Sequence, residues 1–199
     1  MKSNAFKISI AAFALFTGAV VYRVAFGFSA GHNEWLPNFS PFAAIALCGA
    51  LYLPRRIAFL LPMLGLLASD LVLNAHFGAA LFSTDLLWRY AVLAGVIAVG
   101  YALRKNPTFG RVLTASLAGS VVFYLVTNTA SWAVDAAYAK SFAGWIQSMT
   151  LGEAGFAPTW TFFRNSLVSD TLFTSLFTGC MAMAGARFSA PVPVSQAVR

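Results

Sequence analysis

Ile57-Ala58-Phe59-Leu60-Leu61-Pro62-Met63-Leu64-Gly65-Leu66-Leu67-Ala68-Ser69-Asp70-Leu71-Val72-Leu73-Asn74-Ala75 carries one charge, Asp70, in a run otherwise almost wholly apolar. About 20 mostly apolar residues cross the hydrocarbon core of a bilayer as a helix, and this run has that length. The residues just before it are Pro54, Arg55 and Arg56, a helix start flanked by positive charge. Composition agrees: 59% of the chain is hydrophobic and 10% charged, against about 45–50% and about 25% in soluble proteins. The sequence reads as an integral membrane protein.

Working outward, six stretches are near span length: residues 8–26, 41–53, 57–75, 86–103, 112–133 and 166–186. The second is short, fenced by Pro41 and Pro54, and expected to be tilted or broken. There is no internal repeat, low-complexity block or break in composition. The expectation is an all-α integral membrane protein: one transmembrane domain over residues 1–199, folded as a six-helix transmembrane bundle.

Lysine and arginine in short loops stay on the cytoplasmic side. Lys2 and Lys7 precede the first span, Arg55 and Arg56 lie between the second and third, Arg104, Lys105 and Arg111 between the fourth and fifth, and Arg187 and Arg199 after the sixth. Both termini are therefore expected to be cytoplasmic. A rival reading of the N-terminus is a cleaved signal peptide ending near Phe28-Ser29-Ala30; the run extends past an ordinary signal core, and a retained helix is the reading adopted. The net charge of +7 is accounted for largely by orientation and anionic lipid, so the lipid bilayer is a partner and nucleic acid is not. Cys48 and Cys180 read as small apolar packing residues with no disulfide framework.

In this topology every acidic residue, Glu34, Asp70, Asp85, Asp135, Glu153 and Asp170, falls in the outer half, beside Arg23, Arg89, Lys140 and Arg164. A charge within a span costs at least about 2.5–3.5 kcal/mol, so Asp70 and Asp170 need a reason to be there. Asp70 shares a helix face with Asn74, with His76 just beyond. Tyr124, Asn128, Trp132 and Asp135 form one stripe, and Asp170 shares a face with Ser166 near Arg164 and Asn165. Structural readings stand beside these: Asp85 with Arg89 as a simple helix pair, Asp70 satisfying Arg23 or Arg89, and Asp170 pairing with Arg164. The outer segments are long, and residues 135–165, with Trp145, Gly152, Gly155, Pro158 and Trp160, read as a lid made of an ordered loop or short interfacial helix. Ala14 with Gly18, and Ala115 with Gly119, have the spacing of close helix packing, and the first pair also suits docking on another membrane subunit. No built-in metal motif accompanies His32 or His76, and no resident cofactor is expected.

Asn38-Phe39-Ser40-Pro41-Phe42-Ala43-Ala44-Ile45-Ala46-Leu47, together with Leu61-Pro62 through Ser69-Asp70-Leu71, Gly119-Ser120 through Thr127-Asn128, and Phe163-Arg164-Asn165 through Asp170, resembles a bacterial family of uncharacterised membrane proteins described as transport proteins. That family is in turn loosely similar to the S components of energy-coupling factor (ECF) vitamin transporters. The resemblance implies six helices in the bacterial cytoplasmic (inner) membrane and an outward-facing pocket. It further implies a vitamin or cofactor precursor as cargo, a corrinoid or thiamine-like compound among them, and an ECF-type transmembrane subunit with ATPases as partners. The residues expected to hold the cargo are Trp35, Asn38, Asp70, Asn74, His76, Asn128, Trp132, Trp160, Arg164 and Asp170, with Ala14 and Gly18 docking a partner. The chain has no phosphate-binding loop for ATP of its own. The alternatives are an intramembrane enzyme acting on lipid or peptide, with Asp70 and Asp170 as its carboxylates, or a non-transporting accessory subunit.

Overall fold

The computed structural model describes residues 2–28, 39–82 and 84–184, with side chains at 10–28, 39–82 and 86–184. The expectations for Trp35, Asn38, His32, Glu34, Arg187 and Arg199, and those for the side chains of Lys2, Lys7 and Asp85, lie outside this description. The described residues form helices and no strand: α1 (Lys2–Phe28), α2 (Phe42–Tyr52), α3 (Arg55–His76), α4 (Thr84–Leu103), α5 (Phe109–Val134), α6 (Phe142–Met149) and α7 (Thr159–Met183). Four helices are long and apolar enough to cross a membrane: α1 over Ile10–Phe28, α3, α4 over Leu86–Leu103, and α5. Their outer faces carry large apolar side chains, such as Leu64 (59% exposed) and Leu87 (70%), an apolar surface that suits acyl chains rather than water. This is a helical membrane protein.

Two of the six expected spans differ. α2 has 11 residues, about 16 Å of helix, roughly half the hydrocarbon thickness. It is a half-length helix buried in the bundle, with Phe42 and the whole run from Ala44 to Ala50 buried and packed against α1, α3, α4, α5 and α7. Its ends are set by Pro41, which occupies the N-cap without a side-chain cap bond, and by Leu53, which leaves the helix in an extended conformation before Pro54. α7 is long enough at 25 residues, but its many serines and threonines make it more polar than the four. Those hydroxyls are largely satisfied within the helix: Thr171 Oγ1 donates to the Leu167 carbonyl at 2.7 Å, Ser175 to Thr171 at 2.7 Å and Thr178 to Thr174 at 2.7 Å.

α7 also begins seven residues earlier than the expected 166, at Thr159, because Pro158 supplies the fixed φ of a helix start (−55°). With α6 this replaces much of the loop expected over residues 135–165; the short-helix form of that expectation is what residues Phe142–Met149 adopt. Ser141 caps α6 by accepting from the Gly144 N–H at 3.2 Å, and Thr108 caps α5 through the Arg111 N–H at 3.3 Å.

The basic end of the bundle is locked by side chains. Arg104, after α4, donates from Nε to the Ala50 carbonyl at 2.5 Å and from Nη2 to the Leu53 carbonyl, while Tyr101 Oη donates to the Arg55 carbonyl at 2.6 Å. The two arginine bonds satisfy carbonyls that the end of α2 leaves open, and the tyrosine bond ties α4 to the start of α3. α4 approaches α2 closely at Gly100. A Cβ there would lie 2.5 Å from the Ala50 Cβ and 2.8 Å from the Leu47 carbonyl oxygen, both rigidly placed. At Gly95, on the same helix, a Cβ meets nothing among the described residues within 4 Å. Gly100→Ala is therefore expected to destabilise the protein by about 1–3 kcal/mol, whereas Gly95→Ala is expected to leave it unchanged or slightly more stable; thermal unfolding of both in detergent checks the contrast.

Candidate ligand-binding site

α3 and α7 carry the same dipeptide, Ser69-Asp70 and Ser169-Asp170, in the same local geometry. Each serine Oγ donates to the carbonyl three residues back, Leu66 at 2.9 Å and Ser166 at 3.0 Å, and both aspartates are buried, 2% and 3% exposed. Their partners differ. Asp70 Oδ1 accepts from Arg23 Nη2 at 2.6 Å and from Arg89 Nη1 at 3.3 Å, and Arg23 Nη1 also donates to Ser69 Oγ at 3.0 Å. These are the ion pairs among the described residues. Asp170 has none. Ser120 Oγ on α5 donates to Asp170 Oδ2 at 2.5 Å, and the Ala44 backbone N–H, in the first turn of α2, approaches the carboxylate. Asp170 Oδ1 is buried with no hydrogen-bond partner among the described residues, as are Asp70 Oδ2 and Arg89 Nε.

Arg23, Arg89, Ser120, Ser169 and Asp170 line one cavity of about 110 Å³ with Phe42 and Ala43 from the start of α2. Asp170 lies eleven residues beyond Thr159, the first residue of α7, about 16 Å along the helix, so the cavity is near the middle of the bundle. The N-terminus of α2 therefore opens inside the protein, its unpaired N–H groups and positive dipole end beside the cavity. Ser116 and Thr174 extend the polar contact of α5 with α7, Thr174 Oγ1 donating to Ser116 Oγ at 2.8 Å.

Phe123 and Ser166 also line a second, outer cavity of about 340 Å³, with Asn128, Tyr138, Glu153 and Phe162. The segment around α6 covers it and is pinned to α5 and α7. Tyr124 Oη donates to the Met149 carbonyl, Trp145 Nε1 to Thr129 Oγ1 at 3.0 Å, and the Trp160 N–H to the Thr150 carbonyl at 3.1 Å. Burial, then the neighbouring Asp135 and Glu153, push the Tyr138 phenol above its usual pKa, so it remains a hydrogen-bond donor at the wall of this cavity.

Of the residues expected to hold a ligand, Asp170 lines the inner cavity and Asn128 the outer one. Asp70 holds the two arginines that line the inner one. The others take different roles. Asn74 Nδ2 donates to the Ala80 carbonyl at 3.0 Å and closes the turn after α3, and His76 packs on Phe28 with ring centres 4.5 Å apart. Trp132 Nε1 donates to the Ala139 carbonyl at 2.9 Å, tying down the segment after α5. Arg164 stacks on the exposed ring of Trp160 at 5.4 Å and donates to Asn165 Oδ1 at 3.1 Å. Among the described residues Asp170 has no ion-pair partner, and Arg89 faces Asp70. Ala14 and Gly18 line an apolar groove of about 460 Å³ between α1 and α7. Cys48 and Cys180 are free thiols.

Arg23, Arg89 and Ser120 were not among the expected ligand residues. In the sequence the two arginines stand out only as ion-pair partners for Asp70 or Asp85, and the spacing Ser116/Ser120 facing Ser166/Ser169/Asp170 is the signal for the α5–α7 polar seam.

These features define a polytopic helical membrane protein with a charged cavity at mid-bundle. Residues 2–193 match DUF6580, a family of unknown function, and the chain belongs to that family. No curated protein and no solved structure matches it.

The two aspartates are expected to respond differently to loss of charge. Asp70→Asn leaves two adjacent arginines without their counter-charge and should cost about 3–5 kcal/mol. Asp170→Asn keeps an acceptor for Ser120 and removes no ion pair, so its cost should stay near 1 kcal/mol. Unfolding of both variants in detergent measures the difference.

Proposed function

We propose that this protein is a membrane transport protein that binds a small polar solute in the inner cavity. The observation that carries the reading is the meeting, halfway along the bundle, of a buried carboxylate lacking a counter-ion with the N-terminus of a half-length helix. Transporters place solute sites near the bilayer midplane at the ends of discontinuous helices. Intramembrane ionisable groups that face a cavity are costly and mark solute or ion paths.

In this reading the bundle has six helices that enter or cross the membrane, α1 to α5 and α7, with both termini and the end bearing Arg55, Arg56, Arg104, Lys105 and Arg111 on the cytoplasmic side of a bacterial inner membrane. Solute enters through the outer cavity under α6, passes between Phe123 and Ser166, and settles between Asp170 and the arginines. Movement of Phe123 and of α2 then opens the inner side. The inner cavity, about 110 Å³, lies below the ~300–1,000 Å³ of sites that enclose drug-sized ligands, so the proposed solute has few heavy atoms. A vitamin-sized cargo would not fit the inner cavity, and an ECF-type partner with ATPases is not needed for the proposal. The intramembrane-enzyme alternative is weaker, because Asp70 is engaged by two arginines and does not line the cavity that Asp170 faces, so the two carboxylates do not share a site.

Native mass spectrometry of the gently purified protein, with uptake into proteoliposomes of whatever solute co-purifies, tests the proposal. A stoichiometric small molecule is expected in the wild type and absent from Asp170→Asn. Uptake is expected to fall at least about tenfold in the variant, the effect of losing one charged hydrogen bond. A protein that holds no solute and moves none would overturn it.

A further inference from the structure

The charges around the inner cavity are separated and balanced. Arg23, Arg89 and Asp170 all line it, the arginines ion-paired with Asp70, which does not, and neither of them ion-paired with Asp170. Two positive and two negative groups leave the site formally neutral. A single charge brought into such a site stays uncompensated in a low-dielectric interior, whereas a molecule bearing both signs keeps the balance and places each sign beside its opposite. Two buried polar atoms without partners among the described residues fit this pattern: Arg89 Nε, a donor, and Asp170 Oδ1, an acceptor.

Resting on the transport reading above, we infer that the solute is a small zwitterion, its carboxylate or similar anionic group turned to Arg23 and Arg89 and its ammonium to Asp170 Oδ1. The comparison within the chain sharpens the assignment. The Ser69-Asp70 site already contains its cations, and the Ser169-Asp170 site, alike in sequence and local hydrogen bonding, has a serine and a helix N-terminus where the first has two guanidinium groups. The position of the cation is what the second site leaves to a ligand. The cavity volume of about 110 Å³ limits that ligand to the size of the smallest amino acids and their ω-amino analogues.

The test is a binding panel on the full-length protein in nanodiscs, by calorimetry: glycine, β-alanine and γ-aminobutyrate as zwitterions, acetate, propionate and butyrate as anions of matching length, and methylamine, ethylamine and propylamine as cations. At least one zwitterion is expected to bind at least about tenfold tighter than the anion and the amine of its length, the worth of one charge-assisted hydrogen bond. Asp170→Asn is expected to abolish that preference while retaining anion binding, and Arg89→Gln to weaken zwitterions and anions alike. Anions or amines binding as tightly as the zwitterions would overturn the inference and leave the transport reading standing. If no panel member binds and no solute co-purifies, both fall. The wild-type panel alone decides between these results even where a variant does not fold.

Discussion

A carboxylate buried some 16 Å along a helix of an apolar bundle is tolerated only where hydrogen bonds, dipoles or counter-charges replace water. Asp170 meets that demand with Ser120 from α5 and with the first turn of α2, and much of the architecture follows. α2 must begin inside the bundle to bring its N–H groups there, so it is half-length. Irregular backbone at that depth must line a protein-enclosed space rather than face lipid, and before α2 Phe39 packs on Tyr22 of α1 and Phe173 of α7 while Ser40 lines the cavity. The small residues of α5, Ser116 and Ser120, let that helix approach α7 closely enough for hydroxyl contacts.

Asp70 solves the same problem by the opposite means. Two arginines from α1 and α4 converge on it, so one carboxylate ties three helices together. The pairing fixes the guanidinium groups on the cavity wall, and Arg23 lies 5.5 Å over the Phe42 ring at the start of α2. The two Ser-Asp sites thus differ in the charge of their partners. Each keeps an unpaired carboxylate oxygen, but Asp70 is ion-paired with two arginines and Asp170, without an ion pair, is the one that lines the cavity. The proposed function falls on the second because its unfilled position faces the cavity, whereas removing a member of the first unbalances the bundle.

The membrane class and most helix positions were legible in the sequence. Residues 57–75, 86–103 and 112–133 fall within α3, α4 and α5 nearly end to end, because lipid requires long apolar runs whose backbone is satisfied within the helix. Less of the site was legible. Asp70 and Asp170 stood out by their cost alone, and the alternative pairing of Asp70 with Arg23 or Arg89 is the one found. The tryptophans, Asn74 and His76 were grouped with them on depth, yet depth does not say which way a side chain turns around the helix axis. Trp132 and Asn74 instead anchor adjoining turns.

Composition and run length by themselves determined that this chain is helical and built for a bilayer, since both depend on sums over consecutive residues. The division of labour between Asp70 and Asp170 was decided only in the tertiary structure. Both sit in the dipeptide Ser-Asp on a long helix, and nothing local distinguishes them. What separates them is which helix lies opposite, α1 and α4 with arginines or α5 and the end of α2 with a hydroxyl and amides, and that depends on packing between segments far apart in the chain.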